Sequence, residues 1–133
     1  MSTTDIFTQL RTLPECCYRV SVKALIYDDQ GRILLVKEGN DKWDLPGGGT
    51  DHGESLEDSL KRELQEEIGL DVEIGELHDI VKFQSRSGIH ALWMIYECQA
   101  LHSDLTLGEA SDTQWVSPDQ ATEWPLPEIK GLG

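Results

Sequence analysis

Apolar and polar positions alternate early in the chain. Val20, Val22, Ala24 and Ile26 fall on one face of a strand predicted over residues 18–27, because successive strand side chains point to opposite faces. A turn at Asp28-Asp29-Gln30-Gly31 leads into a second strand over 33–37, which makes a β-hairpin. Residues 42–49 then run through Trp43, Leu45 and Pro46 into three consecutive glycines. That pattern predicts a loop whose backbone bends freely or lies close to another group.

The period changes after the glycines. Leu56, Leu60, Leu64 and Ile68 recur at helical spacing, with Ser55 placed to cap, Asp58 to return the bond and Gly69 to stop the helix. Two longer strands are predicted over 72–84 and 89–100, joined by a turn over 85–88. In the second, His90, Leu92, Met94 and Tyr96 alternate with Ala91, Trp93, Ile95 and Glu97. A short strand over 114–116 is followed by Ser117-Pro118, a helix-start signal, and by the tail Trp124-Pro125-Leu126-Pro127. Strands gathered around one long helix predict an α+β fold with a mixed sheet; periodicity leaves the strand pairing open.

The 133 residues suit a single domain, 1–133, in which 1–16 form a polar lead-in. The start lacks the apolar core of a secretory signal, and no stretch nears the roughly 18 apolar residues of a membrane span. A cytoplasmic protein without a membrane partner is expected. The three cysteines, Cys16, Cys17 and Cys98, are odd in number and two are adjacent, which suits buried or idle thiols better than disulfides or zinc.

Charge narrows the partners. Asp and Glu total 25 against 11 Lys and Arg, a net charge of -14, which would repel DNA or RNA polymers. A small phosphate ester can still bind where a cation neutralises the site. Asp28-Asp29-Gln30-Gly31 lacks the alternating acids and closing glutamate of a calcium-binding EF-hand.

The candidate chemistry lies on the long helix. Glu63, Glu66 and Glu67 stand at i, i+3 and i+4, where like charges oppose one another. Acidic helix faces are ordinarily solvated. Here, however, Glu67 falls inside the apolar arc of Leu56, Leu60, Leu64 and Ile68, and Glu63 lies at its edge. A carboxylate turned toward a packed face must be paired, neutralised or metal-bound.

The segment reads Gly48, five residues, Glu54, seven residues, then Arg62-Glu63-Leu64-Gln65-Glu66-Glu67-Ile68-Gly69-Leu70. In every defined position, from 48 to 70, it resembles the Nudix box of the Nudix hydrolase family. A chance match of that length lies below about 10⁻⁶ at ordinary residue frequencies. Trp43-Asp44-Leu45-Pro46-Gly47-Gly48-Gly49 also looks like the family's approach to the box. The resemblance implies a Nudix αβα sandwich with a central mixed sheet, the box forming loop, helix and second loop. It further implies Mg²⁺, for which Mn²⁺ can substitute, and hydrolysis of a diphosphate linkage by water.

Carried over by position, Glu63 and Glu67 resemble the main metal ligands. Glu66 resembles a further ligand or the residue that activates water, Glu54 assists, and Arg62 orients the glutamates. Gly48 belongs with the metal-site residues, and Gly48 and Gly49 with those facing the substrate. Glu109, six residues before Trp115, is similar to a family glutamate that supplies a further ligand or base; Asp112 is its substitute. Lys37 stands where the family often places a cation toward phosphates, and Trp43 either stacks on a base or packs under the glycines. The implied partner is a small nucleotide or organic diphosphate, with a homodimer left open. The family's downstream proline, tyrosine and NADH markers are not found. A nucleoside triphosphate is therefore the expected substrate, with a nucleotide sugar, another organic diphosphate or a catalytically silent nucleotide-binding domain as alternatives.

Overall fold

The computed structural model describes residues 17–38, 42–85 and 87–121, together with Ile6 and Gln9. Most of the lead-in, Cys16 and the proline-punctuated tail lie outside the described residues. The elements run β1 (Arg19–Tyr27), β2 (Ile33–Glu38), β3 (Lys42–Asp44), β4 (Gly47–Gly49), α1 (Leu56–Ile68), β5 (Val72–Gln84), β6 (His90–Ala100), β7 (Asp112–Val116) and α2 (Pro118–Ala121).

The β1–β2 turn is held by its own first residue. Oδ1 of Asp28 accepts from the backbone N–H groups of Gln30 and Arg32 at 2.9 and 2.8 Å, and Oδ2 accepts from Arg32 Nε at 2.7 Å. Asp favours turns for this reason. The hairpin then opens: its printed register is the single pair Tyr27–Ile33, beyond which β4 takes the flank of β1 and β7 pairs with β2. The seven-stranded sheet has the order β3-β2-β1-β6-β5, with β4 and β7 off that path. Only β1 and β6 run parallel, in register from Arg19–Ala91 to Tyr27–Gln99, so the sheet is mixed as expected.

Both faces of the sheet are covered. On one, Leu60, Leu64 and Ile68 of α1 pack onto Val22, Ala24, Ile26, Leu34 and Val36. Each of these three helix side chains is fully buried and contributes about 1.5–3 kcal/mol. On the other face Leu25, Ile33, Leu35, Trp93, Ile95 and Val116 form a second core with Leu45 and with Ala121 of α2. This is an α+β sandwich with helix, sheet and helix in layers. The alternation expected to bury one face of β1 instead buries both, because its central strand position is packed from either side.

The glycine run departs from expectation. Gly47–Gly49 is a short strand rather than a loop, paired antiparallel as Ser21–Gly49, Val22–Gly48 and Lys23–Gly47. Residues without side chains can seat this close to β1 while the box helix lies above them. Two register shifts, between Ile74 and Leu77 and between Leu77 and Asp79, bend β5 against β6. Among the described residues, Cys17 and Cys98 are free thiols, and no helix is long and apolar enough to cross a membrane.

Candidate metal centre and phosphate site

Helix α1 starts and stops where its sequence dictates. Ser55, extended at φ -70° and ψ 161°, accepts from Asp58 N–H at 3.1 Å, and Gly69 closes the helix at φ 60°. The last turn carries no basic residue to satisfy its free carbonyls. A loop does so instead: the N–H groups of Thr106, Gly108 and Glu109 donate to the carbonyls of Ile68, Glu67 and Glu66 at 2.8, 2.9 and 3.0 Å. The same hydrogen bonds bring Glu109, forty-odd residues away in sequence, onto the acidic side of the helix.

There the carboxylates of Glu63, Glu66 and Glu109 converge, each offering an oxygen within 4.8 Å of the other two. Glu67 is set apart. It is only 2% exposed, its Oε1 accepts from Gly47 N–H at 2.6 Å, and its Oε2 is buried with no hydrogen-bond partner. Burial pushes the Glu67 carboxyl up to about 8; Gly47 N–H and the charge of Lys23 pull it down, and Glu38 and Glu63 add repulsion. Glu63 is also raised, first by burial and then by Glu66 and Glu109, against the pull of Arg62.

Arg62 binds the rest together. Its Nε donates to Glu54 at 2.9 Å, its Nη1 to Glu63 at 3.0 Å and to Glu66 at 3.3 Å, and its Nη2 to the Gly49 carbonyl at 3.3 Å. These bonds, above all those to Glu54, hold the guanidinium firmly charged. In return they hold the Glu54 carboxyl below its usual range, with help from Ser59. One planar fork thus orients carboxylates from the loop and from two turns of helix.

Gly48 shows why this position has no side chain. A Cβ there would lie 2.5 Å from Glu63 Oε2, so the carboxylate rests directly on the backbone of β4. The arrangement fits a divalent cation: hard oxygen donors converge, their mutual repulsion calls for positive charge, and a deeply buried carboxylate oxygen is left unsatisfied.

Of the remaining sequence candidates, Lys37 and Trp43 face each other across β2 and β3, with Lys37 Nζ 6.0 Å from the Trp43 ring centroid. The Lys37 carbonyl accepts from Ser111 N–H at 2.8 Å, which ties β2 to the loop carrying Glu109. Asp112 begins β7 opposite Lys37. Lys23 was not among the candidates. It is buried in β1 on the face away from α1, 3.3 Å from Asp44 Oδ2 and from the Leu45 carbonyl, and 4.8 Å from the Trp93 ring centroid. A lysine inside an apolar run is the one signal that could have marked it.

The NUDIX domain family model matches residues 18–131. A MutT-like protein of Streptomyces ambofaciens is 33% identical over 108 residues, covering 80% of this chain and 68% of the relative. The nucleoside triphosphatase NudI of Escherichia fergusonii is 30% identical over 125 residues, covering 81% and 88% respectively. Among solved structures, the MutT protein of Methanosarcina mazei Go1 matches with a TM-score of 0.77 at 29% identity, over 86% of this chain and 88% of that one. Sequence likeness through most of the chain, on the same architecture, establishes that the chain belongs to the Nudix hydrolase family, whose members act on diphosphate bonds.

Proposed function

We propose that the chain is a Mg²⁺-dependent pyrophosphohydrolase that cuts a nucleoside triphosphate to a monophosphate and pyrophosphate. The observation that carries the reading is the convergence of Glu63, Glu66 and Glu109 beside the unpartnered oxygen of Glu67. Those four carboxylates, with Gly48, would hold Mg²⁺, or Mn²⁺ in its place. When bound, the ion supplies positive charge that offsets the phosphates and makes water a stronger acid.

The side chains supply the rest. Arg62 fixes Glu54, Glu63 and Glu66 in place and donates nothing to Glu109. Glu109 is therefore the carboxylate of the converging three that Arg62 leaves available for a proton, and it acts as the general base. As Glu109 takes the proton, the water oxygen bonds to the α-phosphorus and the bond from that phosphorus to the α–β bridging oxygen breaks. Pyrophosphate leaves with the electron pair, and the proton passes from Glu109 to solvent. Gly48 and Gly49 offer backbone to the phosphates, Lys37 offers charge and Trp43 an aromatic face.

The triphosphate assignment draws support from the likeness to the NudI nucleoside triphosphatase. Such a reaction belongs in the cytoplasm, where free nucleotides are. A panel of nucleoside triphosphates, oxidised nucleotides, nucleotide sugars and dinucleotides, with products separated by chromatography, tests the proposal. Pyrophosphate and monophosphate released only with Mg²⁺ or Mn²⁺ is the expected result. Turnover undiminished in excess EDTA, or efficient cleavage of nucleotide sugars alone, would overturn it.

A further inference from the structure

The described cations are nearly all engaged within the protein. Lys23 pairs with Asp44, Arg32 with Asp28, and Arg62 with the box acids, while Lys37 and Lys82 lie over Trp43 and Tyr18. Arg19 is different. It opens β1, is exposed, and makes no hydrogen bond or ion pair among the described residues. Its guanidinium is nevertheless closely placed: Nη2 and Cζ lie 2.7 and 3.3 Å from where a Cβ of Gly49 would stand. Only a glycine lets it rest there.

The strand between them sets the geometry. In β4 successive residues face opposite ways. At Gly48 the backbone abuts the Glu63 carboxylate, and at Gly49 it abuts the Arg19 guanidinium, while the Gly49 carbonyl accepts from Arg62. Arg19 thus sits one residue along from the acid cluster. β4 hydrogen-bonds to β1 and to no other strand, so its outer edge is open to a ligand that touches both sides. In a protein of net charge -14, an unpaired planar cation beside a cation-binding cluster is suited to an anion that spans the two.

We propose that Arg19, laid against Gly49 and unpaired beside the Glu63 carboxylate, grips the outer phosphates of the substrate, those that depart as pyrophosphate. This deepens the nucleoside-triphosphate reading and rests on it. Arg19 then selects substrates by polyphosphate length, since a nucleotide sugar carries a sugar where the outermost phosphate would lie. The guanidinium does not touch the attacked phosphorus, so its contribution is to binding.

The test uses the full chain and the variants Arg19→Ala and Arg19→Lys. Arg19→Ala is expected to raise KM for a nucleoside triphosphate about tenfold or more, with kcat within about threefold. KM for a nucleotide sugar should change by less than about threefold. Calorimetry with inorganic pyrophosphate and Mg²⁺ should show about tenfold weaker binding to Arg19→Ala, and Arg19→Lys should recover only part, lacking the planar fork. Equal pyrophosphate affinity in wild type and Arg19→Ala, or equal losses on both substrate classes, would overturn the assignment. If wild type cleaves no triphosphate, the proposed function fails while the pyrophosphate titration still decides the role of Arg19. If wild type cleaves triphosphates and Arg19→Ala matches it, only the Arg19 assignment falls.

Discussion

Gly47 donates its backbone N–H to Glu67 Oε1 at 2.6 Å, joining the glycine strand to the most deeply buried carboxylate of the box helix. The other oxygen of Glu67 is buried with no partner. In the metal-free protein this group is a cost once it ionises. Its folded pKa is raised from 4.5 to about 8, so its contribution to stability is fully present below about 4.5 and is lost as pH rises through about 8. Glu67→Gln keeps the acceptor for Gly47 and removes the charge. Metal-free Glu67→Gln should therefore melt several degrees above wild type at pH 8 and close to it at pH 4.5, by calorimetry or circular dichroism. The same variant should turn over at least about 100-fold more slowly with Mg²⁺. A folded variant with full activity would contradict its place among the ligands.

Neighbouring glycines should behave differently when given a methyl group. Gly47 has φ 134°, and its Cβ would lie 2.0 Å from the Val22 carbonyl oxygen, a backbone atom that cannot yield. Gly47→Ala should cost about 2–4 kcal/mol in urea unfolding. At Gly48 the clash is with the movable end of Glu63, 2.5 Å away. Gly48→Ala should cost less than about 1.5 kcal/mol yet weaken Mn²⁺ binding about tenfold or more, followed by titration.

Lys23 and Asp44 form a pair whose side chains are only 6% and 17% exposed. Lys23→Met would leave Asp44 half-buried without its cation and should destabilise the protein by about 2–4 kcal/mol. Adding Asp44→Asn should recover part of that loss, because both charges are then gone. Additive losses in the double variant would show that the two residues act independently.

The box helix was legible because its signals are local: Ser55, the four-residue apolar period and Gly69 give bounds that the structure keeps at Leu56–Ile68. The burial of Glu67 followed from the same helical arc. What was not legible depends on contacts between distant segments. The parallel pairing of Arg19 with Ala91 and the strand character of Gly47–Gly49 come from neighbours that no local period records. Lys23 has the look of an exposed strand lysine until Asp44 and Trp93 are placed around it. Arg19 gave no sign at all, since its meaning lies in the partner it lacks and in the missing side chain of Gly49.

The loop that closes the end of α1 also makes two distant parts of the chain a single unit of local unfolding. Thr106, Gly108 and Glu109 can release their amide protons to solvent only by letting go of Ile68, Glu67 and Glu66. The last helical turn and the loop should therefore open and reclose together. Any ligand that draws Glu109 toward Glu63 slows that opening, and its arrival is felt at the Thr106 amide, a group on the backbone that need not touch it.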